Sequence, residues 1–322
     1  MDMPPKIAAN DTKPMTRRRM LRLSAYGLGV AASVTGLYTW GIEPHWVEVV
    51  ERSLPVKNLP DGLVNARCVQ LSDLHIGPQV DDGYLRSCFD TVNALAPHIV
   101  VYTGDFMTHS SDFRERAQRI FPHLPRGTRG TFGVLGNHDY GPNWQGLNIA
   151  DDIARFAVHS GVRILRNEIA EVDGLQIVGL DDLWAGRFDV ALGLKALNAE
   201  RPAIALSHNP DSVDLTGWER FTGWILSGHT HGGQCKAPFL PPPLLPVLNR
   251  RYVAGEYDLP GNRRLYISRG LGHLMHVRFN VRPEITAFRL ERMTFAAQNL
   301  SPRVLLDGRF PHNSFMSCRG LS

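Results

Sequence analysis

Beyond residue 42 the chain alternates short, β-branched apolar runs with longer amphipathic stretches. That alternation marks an α/β fold. The apolar runs predict strands at Arg67–Leu71, Ile99–Thr103, Thr131–Leu135, Val162–Leu165, Leu175–Leu180, Ala203–Leu206, Trp224–Leu226, Tyr252–Tyr257, Arg264–Ser268 and Glu284–Leu290. The amphipathic stretches predict helices at Asp82–Leu95, Asp112–Leu124, Ile149–His159 and Val190–Asn198. Leu259-Pro260-Gly261-Asn262 reads as a hairpin turn. No internal repeat is visible. The body is expected over residues 43–291, and the pattern then decays into a tail at 292–322.

The N-terminus reads as an address. Residues 1–15 are polar and without periodicity. Thr16-Arg17-Arg18-Arg19-Met20-Leu21-Arg22 then precedes an uncharged stretch, Leu23–Ile42. A basic segment before an apolar one is a targeting signal. This one resembles the twin-arginine export signal, with Arg17 and Arg18 as the pair. The resemblance implies passage through the twin-arginine machinery to a periplasmic or other extracytoplasmic location. Gly27, Gly29, Gly36, Ser24, Ser33 and Thr35 dilute the apolar stretch, yet its length reaches the ~20 residues that span a bilayer. Trp40, Gly41 and Ile42 stand where an Ala-x-Ala cleavage site would end it. Retention as an inner-membrane anchor is therefore the expectation. Trp40 and Trp46 suit the membrane interface.

Composition changes this picture little. The chain is 43% hydrophobic and 20% charged, which excludes a collagen, a coiled coil and wholesale disorder. Its net charge is +4. Part of that excess sits in the N-terminal arginines, and the rest forms no long basic run. Specific nucleic-acid binding gains no support from it, whereas an anionic substrate or a membrane surface does. Four cysteines, Cys68, Cys88, Cys235 and Cys318, form no Cys-x-x-Cys pair. A thiolate zinc site and a redox motif are thereby disfavoured. Free, mostly buried thiols are expected.

The chemistry lies immediately after the predicted strands. Ser72-Asp73-Leu74-His75 follows one, Gly104-Asp105 the next, then Gly136-Asn137-His138-Asp139, Ser207-His208-Asn209 and Gly228-His229-Thr230-His231-Gly232-Gly233. Ligands of α/β sheets bind where loops leave the carboxyl ends of strands. Carboxylate, imidazole and amide oxygen without thiolate suit a hard or borderline divalent ion. Asp73 and His75 would share one face of an extended segment, as would His229 and His231. Glycines at 104, 136, 228, 232 and 233 permit tight paths around ions. Any one piece alone is a common turn or helix cap; five in succession are not.

This series resembles the calcineurin-like metallophosphoesterase family, over about Ile42 to Leu290. Leu-Ser-Asp-Leu-His, Ser-Gly-His-Thr-His-Gly-Gly-Gln and Ser268-Arg269-Gly270-Leu271-Gly272 are similar to its exported bacterial phosphodiesterase branch. The resemblance implies a four-layer αββα sandwich with mixed sheets. It implies Asp73, His75 and His231 on a first metal and Asn137, His208 and His229 on a second, with Asp105 bridging. His138 would protonate the leaving oxygen, and Asp139 would orient its neighbours from behind. Ferric members of the family use a tyrosine shortly after Gly-Asp. Phe106-Met107-Thr108 stands there instead, so manganese, zinc or ferrous iron is implied. An aspartate that pairs with the catalytic histidine elsewhere in the family is also missing, and Thr108 occupies its region.

Two such ions lower the pKa of bound water toward ~7 and let a hydroxide attack phosphorus in line. The expected activity is a phosphodiesterase. The alternative is a nucleotide-lipid pyrophosphatase, of the kind acting on UDP-diacylglucosamine. A nuclease or a non-catalytic interaction module fits less well. One loop hints at a lipid-linked substrate. Ala237–Leu248 carries Phe239, Leu240, Leu244 and Leu245 without a charge, close behind Gly-His-Thr-His.

Overall fold

The computed structural model describes residues 15–108 and 110–293. Residues 1–14, most of the predicted tail and Cys318 lie outside them. In chain order the elements are α1 Arg17–Leu37, β1 Glu48–Val56, β2 Arg67–Leu71, α2 Asp82–Ala94, β3 Ile99–Thr103, α3 Phe113–Ile120, β4 Gly130–Val134, α4 Leu147–His159, β5 Arg163–Ile164, β6 Glu168–Val172, β7 Leu175–Gly179, α5 Val190–Gly193, β8 Ala203–Leu206, β9 Gly223–Ser227, β10 Gly255–Leu259, β11 Arg263–Ile267 and β12 Glu284–Arg292.

Among the described residues the strands form two mixed six-stranded sheets. The first runs β1-β12-β2-β3-β4-β5 and the second β10-β11-β9-β8-β7-β6. In the second, the parallel run β7, β8, β9 and β11 is flanked by antiparallel pairings with β6 and β10; in the first, the parallel run β2, β3, β4 and β5 meets β12 antiparallel, and β1 joins β12 in parallel. The sheets face each other across one apolar layer that includes Val101, Phe132, Ile204, Leu206, Trp224 and Phe288. A second layer packs α2, α3 and α4 on the outer face of the first sheet through Leu85, Phe89, Ala117 and Ile153. A third covers the second sheet with α5 and the Trp218–Phe221 loop. The order is the expected αββα sandwich, with one helical layer thinner than the other.

Local sequence accounts for the helices. Asp81 caps α2 by accepting the Tyr84 N–H at 2.8 Å. Leu85, Cys88, Phe89 and Val92 then fall on one face and are buried. Pro122 ends the next helix early, because it supplies no N–H and clashes with the preceding turn. The predicted Asp112–Leu124 therefore shortens to Phe113–Ile120. The predicted Val190–Asn198 is a single turn, halted at Gly193.

Two edge strands escaped prediction. In β1 the residues Glu48, Glu51 and Arg52 interrupt the apolar run, and only its carboxyl-terminal half enters the core. The short β6 shows two buried positions among five. The Pro260-Gly261-Asn262 turn joins β10 to β11 as expected, although β10 begins later than predicted.

At the N-terminus α1 is exposed throughout and buries no side chain. With the turns that continue it to His45, it is long and apolar enough to cross a membrane. Its far end is built into the body. The Arg278 N–H donates to the Thr39 carbonyl at 3.0 Å. Glu43 is fully buried and accepts the Val281 N–H at 2.6 Å. Cys68 and Cys88 are buried free thiols and Cys235 is half-buried.

Trp224 fills the space between the sheets, and its indole N–H donates to the Pro55 carbonyl at 2.9 Å. Trp224→Ala should cost about 3–5 kcal/mol of unfolding free energy. Leu192→Ser, at an exposed position, should stay within about 0.5 kcal/mol. Urea denaturation of both variants checks the pair, and equal midpoints would place Trp224 outside the core.

Candidate metal centre

Five parallel strands, β2, β3 and β4 from one sheet and β8 and β9 from the other, send their carboxyl ends to a single seam. Gln70 stitches the sheets there. Its amide donates to the Thr103 hydroxyl and to the Ser227 carbonyl, both at 2.9 Å. The loops then brace one another. The Asp73 N–H donates to the Gly104 carbonyl, and the Gly228 N–H to the His208 carbonyl, each at 3.0 Å.

The seam brings together all seven candidate ligands. Asp73, His75 and His231 form one buried triad, and Asp105, His208 and His229 form another. Within each, the donor atoms lie inside 4.8 Å of one another. Asp105 lies between them, 3.6 Å from His75 Nε2 and 3.2 Å from His208 Nε2. Asn137 Oδ1 stands 3.2 Å from His208 Nε2. His231 Nε2 is 3.4 Å from Asp73 and 3.0 Å from His75 Nε2.

Two rings are held from behind. His208 Nδ1 donates to the Thr103 carbonyl at 2.8 Å. His75 Nδ1 bonds the Thr108 hydroxyl at 2.9 Å. Each then turns Nε2 toward the centre, where its lone pair would face an ion once any proton there is displaced. Thr108 thus supports a candidate ligand; no hydrogen bond joins it to His138. The His138 ring sits 5.1 Å from that of His75 at the cleft wall, and its backbone N–H donates to Asp105 at 2.9 Å. Asp139 accepts the Met107 and Gly136 N–H groups at 3.0 and 2.9 Å, tying the loop after β3 to the loop after β4.

The backbone departs from the expected path. Asp73, His75, Asp105, His229 and His231 all adopt left-handed φ, between 47° and 71°. Asp73-Leu74-His75 is therefore not extended, and its donors converge through a curl. The curl lets the Asp73 carboxylate accept the His229 N–H at 3.0 Å. Such residues cost on the order of 1–3 kcal/mol each. Two glycines make room. A Cβ on Gly136 would lie 2.3 Å from Asp105 Oδ1, and one on Gly228 2.3 Å from Asp73 Oδ2.

Burial governs the protonation states. It pushes His75 and His229 down to about 3 and His231 well below its usual range, so all three are neutral at pH 7. It pushes Asp73 up to about 6. Burial would raise Asp105 too, but His208, His138 and His75 outweigh it and hold the carboxyl well below its usual range. Asp105 in turn overcomes the effect of burial on His208 and raises it to about 10.

The donors fit divalent ions. They are oxygen and imidazole nitrogen, buried, and without thiolate. His75 Nε2 and His231 Nε2, 3.0 Å apart, repel unless a proton or a cation lies between their lone pairs. His231 Nδ1 and Asn137 Nδ2 are buried without a hydrogen-bond partner among the described residues.

A cleft of about 380 Å³ opens over the centre. His138, Trp144 and Trp184 form one wall; Pro243, Leu244, Leu274 and Met275 form much of the other. The two tryptophans stack at 4.8 Å, and Trp184 meets the His229 ring edge-on at 4.4 Å. Among the described residues no lysine or arginine lines the cleft. Pattern reading missed these tryptophans, which lie in loops. It also missed Asp182, whose carboxylate accepts the Ala185 N–H at 2.7 Å and fixes the loop carrying Trp184. A signal for it existed: Asp181-Asp182 follows the buried β7 as the other carboxylates follow their strands.

Two adjoining sets of buried oxygen and imidazole donors are what a hydrolase using a pair of divalent ions requires. Residues 66–233 match the calcineurin-like phosphoesterase family, and the chain belongs to it. It is 31% identical over 292 residues to the uncharacterized metallophosphoesterase YkuE of Bacillus subtilis (strain 168), covering 87% of this chain and 99% of that protein. It is 29% identical over 284 residues to phosphodiesterase YaeI of Escherichia coli (strain K12), covering 86% and 99%. UDP-2,3-diacylglucosamine pyrophosphatase LpxG of Chlamydia trachomatis is 27% identical over 323 residues, covering 81% and 97%.

A metal ion at His208 must displace the proton that Asp105 stabilises there. Affinity should therefore rise with pH, by about one log unit per pH unit between pH 7 and 9. It should climb more steeply below about 6, where Asp73 also holds a proton. Competition with a chromophoric chelator measures the slope; a flat profile contradicts the protonation assigned to His208. Gly228→Ala should lose metal because its methyl displaces Ser72 and Asp73, whereas Gly62→Ala should bind normally. Elemental analysis of both variants decides this.

Proposed function

We propose that this chain is an exported, membrane-anchored phosphodiesterase with a binuclear metal centre. The observation that carries the reading is the position of Asp105 between two buried triads. Asp73, His75 and His231 would hold one ion, and Asn137, His208 and His229 the other, with Asp105 shared. Manganese, zinc or ferrous iron suits the donors. Such ions supply water of lowered pKa and positive charge for the phosphoryl oxygens.

The protein's own groups do the rest. His138 stands at the cleft wall beside the centre and gives its proton to the leaving oxygen. Asp139 holds the two loops that carry Asp105 and His138. Trp144 and Trp184 shield the centre from water, which strengthens every electrostatic contact within it.

Similarity to LpxG raises a second reading, cleavage of a lipid-linked diphosphate. A second phosphate would call for a lysine or arginine, and among the described residues the cleft lining has none. That favours a single phosphodiester attached to an apolar body. The anchor follows from α1, whose arginines mark a cytoplasmic end and leave the enzyme outside. Because Thr39 and Glu43 are bonded into the body, the helix continues directly into the fold.

His138→Ala should keep both metals and lose turnover of bis(4-nitrophenyl) phosphate by about 10²–10⁴-fold. Asp105→Ala should lose metal. Equal metal content in the two variants would refute these roles. Replacing both Arg17 and Arg18 by lysine should hold the protein in the cytoplasm, as cell fractionation would show. Unchanged export would remove the twin-arginine route from this reading.

A further inference from the structure

We infer that the mouth of the metal cleft docks on the surface of an anionic phospholipid bilayer. Catalysis would then act on phosphodiesters still embedded in the membrane. The inference deepens the proposed function and rests on its anchored helix.

The first observation is what the mouth exposes. Phe239 is fully exposed, Leu240 59% and Leu244 68%, all on the proline-rich loop. Leu274 and Met275, at 40% and 55%, stand on a second loop. Leu244, Leu274 and Met275 also line the cleft. Soluble surfaces rarely gather such side chains around one opening. Phe239 even holds a left-handed φ of 65°, a conformation that bulky residues avoid. No packing inside the body offsets it.

The presenting loop is fastened at its base. The Leu248 and Asn249 N–H groups donate to the Asp211 carboxylate at 2.6 and 3.0 Å. The Arg250 guanidinium donates to the Pro242 carbonyl at 3.1 Å. The apolar side chains are thus held outward. Lys236 precedes the loop and Arg250 and Arg251 follow it, supplying the positive flank that anionic headgroups attract.

The second observation fixes the direction of the mouth. Gln234 follows the candidate ligand His231 closely and donates to the Met275 and Val277 carbonyls, both at 2.9 Å. The next residue, Arg278, donates its N–H to the Thr39 carbonyl. The Trp40 ring packs 5.6 Å from that of His276. Thr39 and Trp40 lie just past the end of α1 at Leu37, where a spanning helix leaves the bilayer. Trp46, under the Arg282 guanidinium at 4.1 Å, adds a further interfacial ring. Met275 therefore sits on the cleft and one residue from the foot of the span. Few bonds separate the metal ligands from the membrane surface.

The test uses the full chain in vesicles of phosphatidylethanolamine and phosphatidylglycerol. p-Benzoylphenylalanine replaces Phe239 in one sample and Val64 in another. Val64 is exposed and precedes the amino end of β2, opposite the metal end of the sheet. Illumination should join lipid to position 239 and not to position 64. Absence of lipid at 239, or attachment to a second copy of the chain instead, overturns docking. That readout needs no catalysis, so it stands apart from the proposed activity. Wild-type turnover of soluble bis(4-nitrophenyl) phosphate judges the activity separately.

A second arm combines Phe239→Asn, which tolerates the left-handed backbone, with Leu240→Ser. Turnover of the soluble diester should be unchanged, while turnover of a vesicle-borne phosphodiester should fall by about tenfold or more. Equal rates on vesicles, or a parallel fall on both substrates, overturns the inference.

Discussion

Asp105 faces His75 on one side and His208 on the other, with nearly all water excluded. Two carboxylates and four imidazoles buried in one seam are costly, since each charge loses its hydration. Without ions the cluster compromises: Asp105 stays ionised, His208 takes a proton, and three imidazoles stay neutral. Divalent cations would remove the need for that compromise. They would pair with Asp73 and Asp105 and accept the lone pairs that otherwise confront each other at 3.0 Å. Metal binding would then release energy that folding stores in the cluster, linking loading of the site to its rigidity. The left-handed curls at five of the seven donors belong to the same account. They are tolerable where the bonds around them leave no alternative conformation.

The sandwich is the means of holding those donors. Parallel strands place loops at one end, and two such sheets face to face double the supply. The Gln70 amide bonds to both sheets, so the loops cannot drift apart without breaking a buried polar contact. Close approach then demands that Gly136 and Gly228 lack side chains. These glycines answer to the volume of Asp105 and Asp73, because their φ values are not in the left-handed region.

Much of this was legible in the chain. The central strands announce themselves as unbroken apolar runs because they are buried on both faces. The residues that follow them carry the site. What stayed hidden has physical causes. The edge strands β1 and β6 carry charge on their open faces and lose the apolar run. The path of Asp73 to His75 is set by contacts with Gly104, Asp105 and His229, so two-residue periodicity described it wrongly. The bond from Thr108 to His75 depends on how the loops after β2 and β3 meet. Trp144 and Trp184 come from loops far apart in sequence and stack only after folding.

Those aromatic walls bear on what the enzyme selects. A metal pair would be indifferent to most of a phosphate ester, because it would grip only the phosphoryl group. Discrimination has to come from the surfaces beside it, and here, among the described residues, they are rich in tryptophan, proline, leucine and methionine and hold no lysine or arginine. An apolar body would leave water on entering, and that transfer would favour binding. The same apolar character continues out of the cleft along the loop from Phe239 to Leu244 and the loop at Leu274 and Met275. Gln234 ties the second of these to the segment bearing His231. The apolar mouth of the cleft, the candidate ligand His231 and the junction with the N-terminal helix therefore share a short stretch of hydrogen-bonded chain. A displacement at the foot of α1 would be carried by these bonds toward the candidate metal centre.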